Sequence, residues 1–256
     1  MDAIIAAGGS MGPEDPLRVM TGVTNKALLP IAGKPMIQHV VNALAGSSEV
    51  EQFVIVGLSP EESPDWGVPV AYAPAQDSLL HNVIAGFEKL QEVKPGARLA
   101  ILSTADIPLL TTEMVSWFIR TCTETDHDLY YTIVERSVME RCFPQAGRTF
   151  VPLRDGAYCG GDICMARTDL LYSNHALAHQ LMEARKSFWK QVRLVGLRFL
   201  LRFALRQLAV ADAERHVSKV FSVHGRAVIT PFAEMGMDVD KPHQLEIVRA
   251  EMEGKR

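Results

Sequence analysis

Short apolar runs alternate along this chain with longer segments in which apolar residues recur at helical spacing. Five runs are short and rich in β-branched, aliphatic or aromatic residues, and they predict strands at 2–7, 53–58, 68–72, 99–103 and 129–134. Three segments with helical spacing predict helices at 36–44, at 79–91 and after Thr112, which we interpret as an N-cap. Strands that alternate with helices predict a mainly parallel central sheet flanked by helices.

The first predicted strand ends in a glycine-rich loop formed by Ala7, Gly8, Gly9 and Ser10. Glycines at a strand end let the backbone approach a phosphate, and the free N–H groups can cradle the anion. Lys26 follows and can neutralise phosphate charge. This order predicts a nucleotide-phosphate site, although a plain tight turn and a solvated lysine are the alternatives. It is not a Walker loop, because no Gly-Lys-Ser/Thr ends it.

A second candidate site follows the predicted strand at 99–103, where Asp106 precedes Pro108. Ligands of parallel sheets bind at the carboxyl ends of strands, and the glycine-rich loop lies at such an end too. Mg²⁺ takes one or two protein carboxylates and completes its shell with water and substrate phosphates. Asp106 is therefore a candidate magnesium ligand, and a turn-capping aspartate is the alternative.

The N-terminal segment resembles the nucleotidyltransferases that join a nucleoside triphosphate to a phosphorylated acceptor. The likeness rests on the Gly-Gly loop, an arginine, a lysine before Leu-Leu-Pro, and Gly-Lys-Pro-Met at 33–36. It implies the nucleotide-diphospho-sugar transferase (Rossmann-like) fold, with Arg18 and Lys26 as catalytic residues. The chain departs from the family at Asn25, where the usual residue is proline, and in the long loop between Gly9 and Lys26.

The same resemblance extends to the carboxylates. Ala-Asp-Ile-Pro-Leu at 105–109 is similar to the family's metal loop, and Asp-Val-Asp-Lys-Pro at 238–242 is similar to the segment before its last helix. The resemblance implies Mg²⁺ held by Asp106 and Asp238. Asp240 stays open as the second ligand, and either residue of this segment could instead cap the following helix.

Two further segments match the family in order. Gln76 is a candidate contact to the nucleotide base, or a plain loop residue. Gly161 and Asp162 match the acceptor-side segment, so Asp162 is a candidate hydrogen-bond acceptor for the acceptor hydroxyls, or a turn aspartate.

A segment without acidic residues runs from 184 to 211, where arginines and lysines alternate with apolar side chains. We expect a helix at about 186–206 that packs on the core. A peripheral membrane contact, a lipid-linked acceptor or a protein partner are the alternatives. Arginines interrupt the apolar run too often for a transmembrane span. His175 and His179 are four residues apart, and we interpret them as a structural or solvated pair.

Net charge and cysteine content further restrict the classes of function that the chain could have. The net charge of −4 gives no reason to expect nucleic-acid binding. The four cysteines form no Cys-x-x-Cys pair and the N-terminus shows no signal peptide, so we expect a cytoplasmic protein with reduced thiols. We expect one nucleotidyltransferase domain over 1–256 with a helical acceptor-side insertion at about 168–221.

The predicted reaction joins an NTP to a sugar, polyol or pterin phosphate and releases pyrophosphate. A non-catalytic nucleotide-binding protein and a glycosyltransferase that uses a nucleotide-sugar are the alternatives. The sequence predicts neither the base nor the oligomeric state.

Overall fold

A computed structural model describes residues 1–170 and 197–254 of the chain. Its strands are β1 (Asp2–Ala6), β2 (Pro30–Ile31), β3 (Lys34–Pro35), β4 (Gln52–Val56), β5 (Val70–Ala73), β6 (Leu99–Thr104), β7 (Leu129–Glu135), β8 (Val151–Leu153), β9 (Gly156–Arg167) and β10 (Gly225–Thr230). Eight of them form one sheet in the order β10-β7-β9-β6-β1-β4-β5, and β8 pairs with β9. β9 runs antiparallel to β6, β7 and β8, whereas the other neighbours are parallel.

The helices in the described residues are α1 (Pro16–Thr21), α2 (Met36–Ala45), α3 (Leu79–Val93), α4 (Thr112–Thr123), α5 (Arg136–Cys142), α6 (Leu197–Ala204), α7 (Val210–Phe221) and α8 (Pro242–Met252). Side chains alternate across the strands, so each face of the sheet needs its own cover. The apolar stripes of α2 and α4 pack on one face, and α3 packs on the other face over β1 and β4. A third apolar cluster joins α1, α5 and α8 at the carboxyl end of the parallel strands.

An irregularity in β9 shapes the same end of the sheet. Tyr131 of β7 pairs with Cys164, whereas Ile133, two residues further on, pairs with Gly160. The strand therefore carries extra residues between these pairs, which include Gly161 and Asp162. Such shifts re-aim side chains, and this one lies beside Ser103, near the end of β6, because Ser103 pairs with Ile163.

The predicted fold class is confirmed, and the predicted strands and helices are present with shifted ends. The predicted N-cap at Thr112 is wrong: Thr111 has the extended backbone of a cap and its Oγ1 accepts from the N–H of Met114, so Thr112 is the first helical residue. Ser78 caps α3 in the same way. The sequence analysis missed β8, β9 and β10, because β9 carries two glycines and a charge where a strand pattern would show alternation.

The basic segment is described only from residue 197, so His175, His179 and residues 186–196 lie outside the described residues. α6 ends at Ala204, before Arg206 takes a positive φ. Phe199 stacks on His216, whereas Leu201 is 56% exposed. This part of the segment therefore differs from the core-packing helix that we expected.

In residues 1–170 and 197–254 no helix has both the length and the apolar character needed to cross a membrane. The four cysteines all lie in the described residues and form no disulfide with one another, and Cys122 and Cys159 are buried.

Candidate active site

The glycine-rich loop turns away from the sheet directly after β1. The N–H of Ala7 donates to the carbonyl of Val56 at 2.7 Å, and beyond this contact the chain leaves the ladder. The loop is then held from the other side, because the N–H of Lys26 donates to the carbonyl of Gly9 at 2.8 Å. Ser10 pairs with Asn25 in a single antiparallel β-bridge. The backbone therefore fixes Lys26 against the loop before its side chain makes any contact.

Gly57, directly after β4, makes this turn possible. Its φ is +102°, and a Cβ there would lie 2.3 Å from the Cα of Gly8. Only glycine allows both the left-handed backbone and the close approach of the two chain segments. Gly57 thus sets how closely the glycine-rich loop can approach the end of β4.

Lys26 lies between two carboxylates. Its Nζ is 2.6 Å from Oδ2 of Asp106 and also donates to Oδ1 of Asp240. Asp106 follows β6, and its neighbour Ala105 donates its N–H to the carbonyl of Ala6 at 3.0 Å. The pairing of β1 with β6 thus brings the lysine and Asp106 together, although they are 80 residues apart.

A second cation, Arg148, lies between two further carboxylates. Its Nη1 donates to Asp238, and its Nη2 lies 3.5 Å from Oδ2 of Asp162. Nη2 also donates to the carbonyl of Gly160 at 2.9 Å. Arg148 follows α5 on the loop that leads to β8, so it joins β9 to the segment before α8.

The two groups meet through the segment at 238–240. The N–H of Val239 donates to the carbonyl of Asp106 at 3.0 Å, so Asp238 and Asp240 flank the backbone contact to the loop that carries Asp106. Gln244 of α8 accepts from the N–H of Asp240 at 2.8 Å, and its amide donates to the carbonyl of Ala146. Among the described residues, the site therefore contains four carboxylates and two cations.

The pKa values at the site reflect the fact that its carboxylates outnumber its cations. Burial opposes the charged form of Lys26, but the charge and hydrogen bond of Asp106, with those of Asp240, raise its pKa to about 12. Burial also opposes the charged form of Arg148, yet Asp238 and Asp162 raise its pKa. Burial, then the charges of Asp238 and Asp106, raise the pKa of Asp162 to about 8 against the opposing effect of Arg148.

The pKa values of the last two carboxyl groups, Asp238 and Asp240, shift in opposite directions. Burial raises the pKa of Asp238 although Arg148 opposes the rise. Burial acts in the same direction on Asp240, but Lys26 outweighs it and lowers the pKa of this more exposed carboxyl. The site is therefore protonated most readily on the side of Asp162 and Asp238.

The residues present fit a divalent cation. Oδ1 of Asp106 and the hydroxyl oxygen of Thr104 are buried and accept no hydrogen bond from any described residue. With all groups charged, the four carboxylates exceed the two cations by two charges. In the described ranges 1–170 and 197–254 no three histidine, cysteine or acidic side chains converge to hold an ion by themselves. Mg²⁺ needs only one or two carboxylates with water and phosphate.

Two predicted site residues lie outside this cluster. The guanidinium of Arg18, on α1, donates to the carbonyl of Met11 at 2.9 Å and so stabilises the chain directly after the glycine-rich loop. Gln76 is exposed, and its side-chain amide donates to the carbonyl of Pro74. The structure thus brings together Gly8, Gly9, Lys26, Asp106, Asp238 and Asp162, whereas Arg18 and Gln76 face other partners.

Sequence reasoning missed three residues at the site. Arg148 follows a turn with Pro144 and Gly147, but nothing in its neighbourhood distinguishes it from other arginines. Gly57 does carry a signal, since it follows an apolar strand as Gly8 does. Asn82 is buried, and its Oδ1 accepts from the N–H of Gln76 at 2.7 Å, so α3 fixes the loop that carries Gln76.

Known proteins are similar in sequence to part of this chain. The chain is 34% identical over 102 residues to the bifunctional protein GlmU of Exiguobacterium sibiricum, which is 39% of this chain and 22% of that protein. It is 29% identical over 116 residues to a molybdenum cofactor guanylyltransferase of Rhodopseudomonas palustris, or 44% of this chain and 50% of that one. The chain thus spans half or less of the length of these relatives.

A solved structure covers nearly the whole chain. A hypothetical transferase from Thermus thermophilus superposes with a TM-score of 0.81 and 31% identity, over 95% of this chain and 98% of that one. The nucleotide-diphospho-sugar transferase fold that the sequence predicted is thus confirmed. The MobA-like NTP transferase domain family matches residues 3–190, and we conclude that the chain belongs to this family.

Proposed function

We propose that the protein is a Mg²⁺-dependent nucleotidyltransferase that transfers a nucleotidyl group from an NTP to a phosphorylated acceptor and releases pyrophosphate. The observation that supports this most is the contact of Lys26 with Asp106 and Asp240 directly beside the glycine-rich loop. A lysine and a carboxylate at the carboxyl ends of β1 and β6 suit a triphosphate with its cation. Membership of the family supports the same reaction class.

In the proposed reaction, the loop N–H groups around Gly8 and Gly9 and the ammonium of Lys26 bind the triphosphate. An acceptor phosphate oxygen forms a bond to the α-phosphorus, and the bond from the α-phosphorus to the bridging oxygen of the β-phosphate breaks. A phosphate nucleophile is already anionic, so no general base is required. Positioning and charge neutralisation would provide most of the rate enhancement.

Asp106 and Asp238 would hold Mg²⁺, which when bound supplies further neutralisation of phosphate charge. Arg148 and Asp162 would lie on the acceptor side. Asp162 belongs to β9, which β6 separates from β1 and its glycine-rich loop in the sheet, and Arg148 contacts Asp162. Sugar, polyol and pterin phosphates stay candidates for the acceptor, and a cytoplasmic location stays a prediction.

The test is a matrix of the four NTPs against sugar phosphates, polyol phosphates and molybdopterin, with pyrophosphate release as the readout. One NTP and one acceptor class should release pyrophosphate only when Mg²⁺ and both substrates are present. Tight NTP binding without turnover across the matrix would favour a nucleotide-sensing protein. Cleavage of a finished nucleotide-sugar would favour a glycosyltransferase.

A further inference from the structure

A groove runs over the sheet on the face that α3 leaves open. It lies between α7 and the strands β7 to β10, and its volume is about 460 Å³. Its walls include Tyr131 and Ile133 of β7, Leu153 of β8, and Ala213 and Val217 of α7. Sites for small ligands have volumes of roughly 300–1,000 Å³ and mostly apolar walls, so the groove is large enough for part of a substrate.

Three polar side chains of this groove are already bonded within the protein. The carboxylate of Glu214 accepts from the N–H of Ala227 at 2.7 Å, and the hydroxyl of Tyr158 donates to the carbonyl of Asp155 at 3.1 Å. The guanidinium of Arg226 donates to Thr125 at 2.9 Å. The surface that the groove presents to a ligand is therefore mainly apolar.

The groove adjoins a cavity at the candidate active site, because both are lined by Tyr131. Tyr131, which is 47% exposed, also lines a smaller cavity of about 160 Å³ whose wall contains Gly161 and Asp162. Asp162 lies 3.5 Å from Arg148. Tyr131 thus belongs to the wall of the apolar groove and to the wall of the cavity that Asp162 lines.

We propose that this groove binds a hydrocarbon chain of the phosphorylated acceptor, so that the acceptor is an amphiphilic phosphate monoester. The inference rests on the proposed function and extends it by naming the class of acceptor. One end of such a molecule needs charged groups, and these lie at the cluster around Arg148. The other end needs an apolar surface next to that cluster, and the groove provides one across the shared wall residue Tyr131.

The first test measures binding without any reaction. Ethyl, butyl, hexyl and octyl phosphate are titrated into the protein by calorimetry, in the presence of MgCl₂ and below their micelle concentrations. Each methylene that enters the groove should tighten binding by up to about fourfold, because burial of a methylene is worth about 0.8 kcal/mol. Affinity that does not change from ethyl to octyl phosphate would overturn the proposal.

Two variants locate the binding. Ala213→Trp fills the groove and should abolish the dependence on chain length while ethyl phosphate binds as before. Val217→Thr keeps the size of the side chain, introduces a hydroxyl, and should weaken octyl phosphate several-fold without a risk of overpacking. Val93→Thr, at an exposed position at the end of α3, is the matched control and should change nothing. Unchanged binding of octyl phosphate by both folded groove variants would place the chain elsewhere and reject the groove.

The outcome is separable from the test of nucleotidyl transfer. Pyrophosphate release without any dependence of binding on chain length would overturn the groove alone. Dependence on chain length without release, when the four NTPs are tested with octyl phosphate as well as with the acceptors of the matrix, would overturn the transfer alone. A second copy of the chain in the groove would appear as an oligomer that Ala213→Trp dissociates, with flat alkyl phosphate affinities, and would also reject the proposal.

Discussion

Lys26 and Arg148 each lie between two carboxylates, with 17% and 14% of their side chains exposed, but the partners differ. The carboxylate of Asp240 beside Lys26 is 57% exposed, whereas that of Asp238 beside Arg148 is 12% exposed. Loss of Lys26 would leave one partner free to hydrate. Loss of Arg148 would leave Asp238 buried without its cation, which is far more costly.

The backbone around the two cations differs as well. Lys26 is fixed by the hydrogen bond of its own N–H to Gly9, independent of its ammonium. Arg148 connects the segment before α8 to β9 mainly through its guanidinium, which contacts Asp238, Asp162 and the carbonyl of Gly160. We infer that the lysine side of the site is built for charge at the substrate, and that the arginine side also holds the fold together.

The largest expected effect is on stability, at Arg148. Arg148→Met should lower the free energy of unfolding by about 3–5 kcal/mol, because it leaves a buried carboxylate without a partner. The double variant with Asp238→Asn should regain much of this loss. Urea denaturation of both single variants and the double variant gives the coupling energy. An Arg148→Met protein as stable as the wild type would remove the contrast between the two cations.

The next effect is on turnover, at Lys26. Lys26→Ala should lower kcat by about 10²-fold or more, the cost of one lost charge-stabilising group, with little change in stability. Steady-state pyrophosphate release and a thermal melt check both parts. Lys89→Ala, which removes an exposed ion pair with Glu92 on α3, is the control. A strongly destabilised Lys26→Ala protein would show that both cations serve the fold.

A change in the loop region tests whether the backbone alone positions the lysine. Gly57→Ala should cost about 1–3 kcal/mol of stability, because its Cβ would collide with Gly8 and its φ is positive. It should also raise KM for the NTP. Gly67→Ala has a positive φ but open space around its Cβ, so it isolates the conformational cost. Equal effects of the two variants, in urea midpoint and in KM, would exclude a role for the close approach.

The smallest effect is a pH dependence of stability on the arginine side. The carboxyl of Asp162 has a pKa of about 8 in the folded protein and about 4 when unfolded. Between these values the folded state binds more protons, so wild-type stability falls as pH rises from about 4 to about 8. Asp162→Asn removes the titration, and its Tm relative to wild type should rise by about 3 °C or more from pH 5 to pH 8.

This experiment is done in EDTA so that no cation alters the titration. Asp126→Asn, at a carboxylate that is 90% exposed, serves as the control and should show a constant Tm difference. A constant difference for Asp162→Asn as well would mean that Arg148 keeps this carboxyl ionised, and the arginine side would then resemble the lysine side.

The amino-acid sequence was enough to predict the class of fold and the residues on the lysine side of the site. Gly8, Gly9 and Asp106 come directly after apolar strands, and apolar strands between amphipathic helices pair in parallel, so their carboxyl ends meet at one edge of the sheet. The ends of elements were less certain, as the N-cap at Thr111 shows, because adjacent threonines offer the same hydroxyl to the helix.

The arginine side of the site arises from tertiary contacts that no local sequence pattern indicates. Arg148, Asp162 and Asp238 belong to segments that no local pattern links, and the antiparallel insertion of β9 brings them together. The partner of Asp240 was equally unpredictable, because two carboxylates separated by one residue can each reach either cation. Local periodicity fixes which face a side chain takes, but the choice of ion partner depends on distances between distant segments, which arise only when the sheet is assembled.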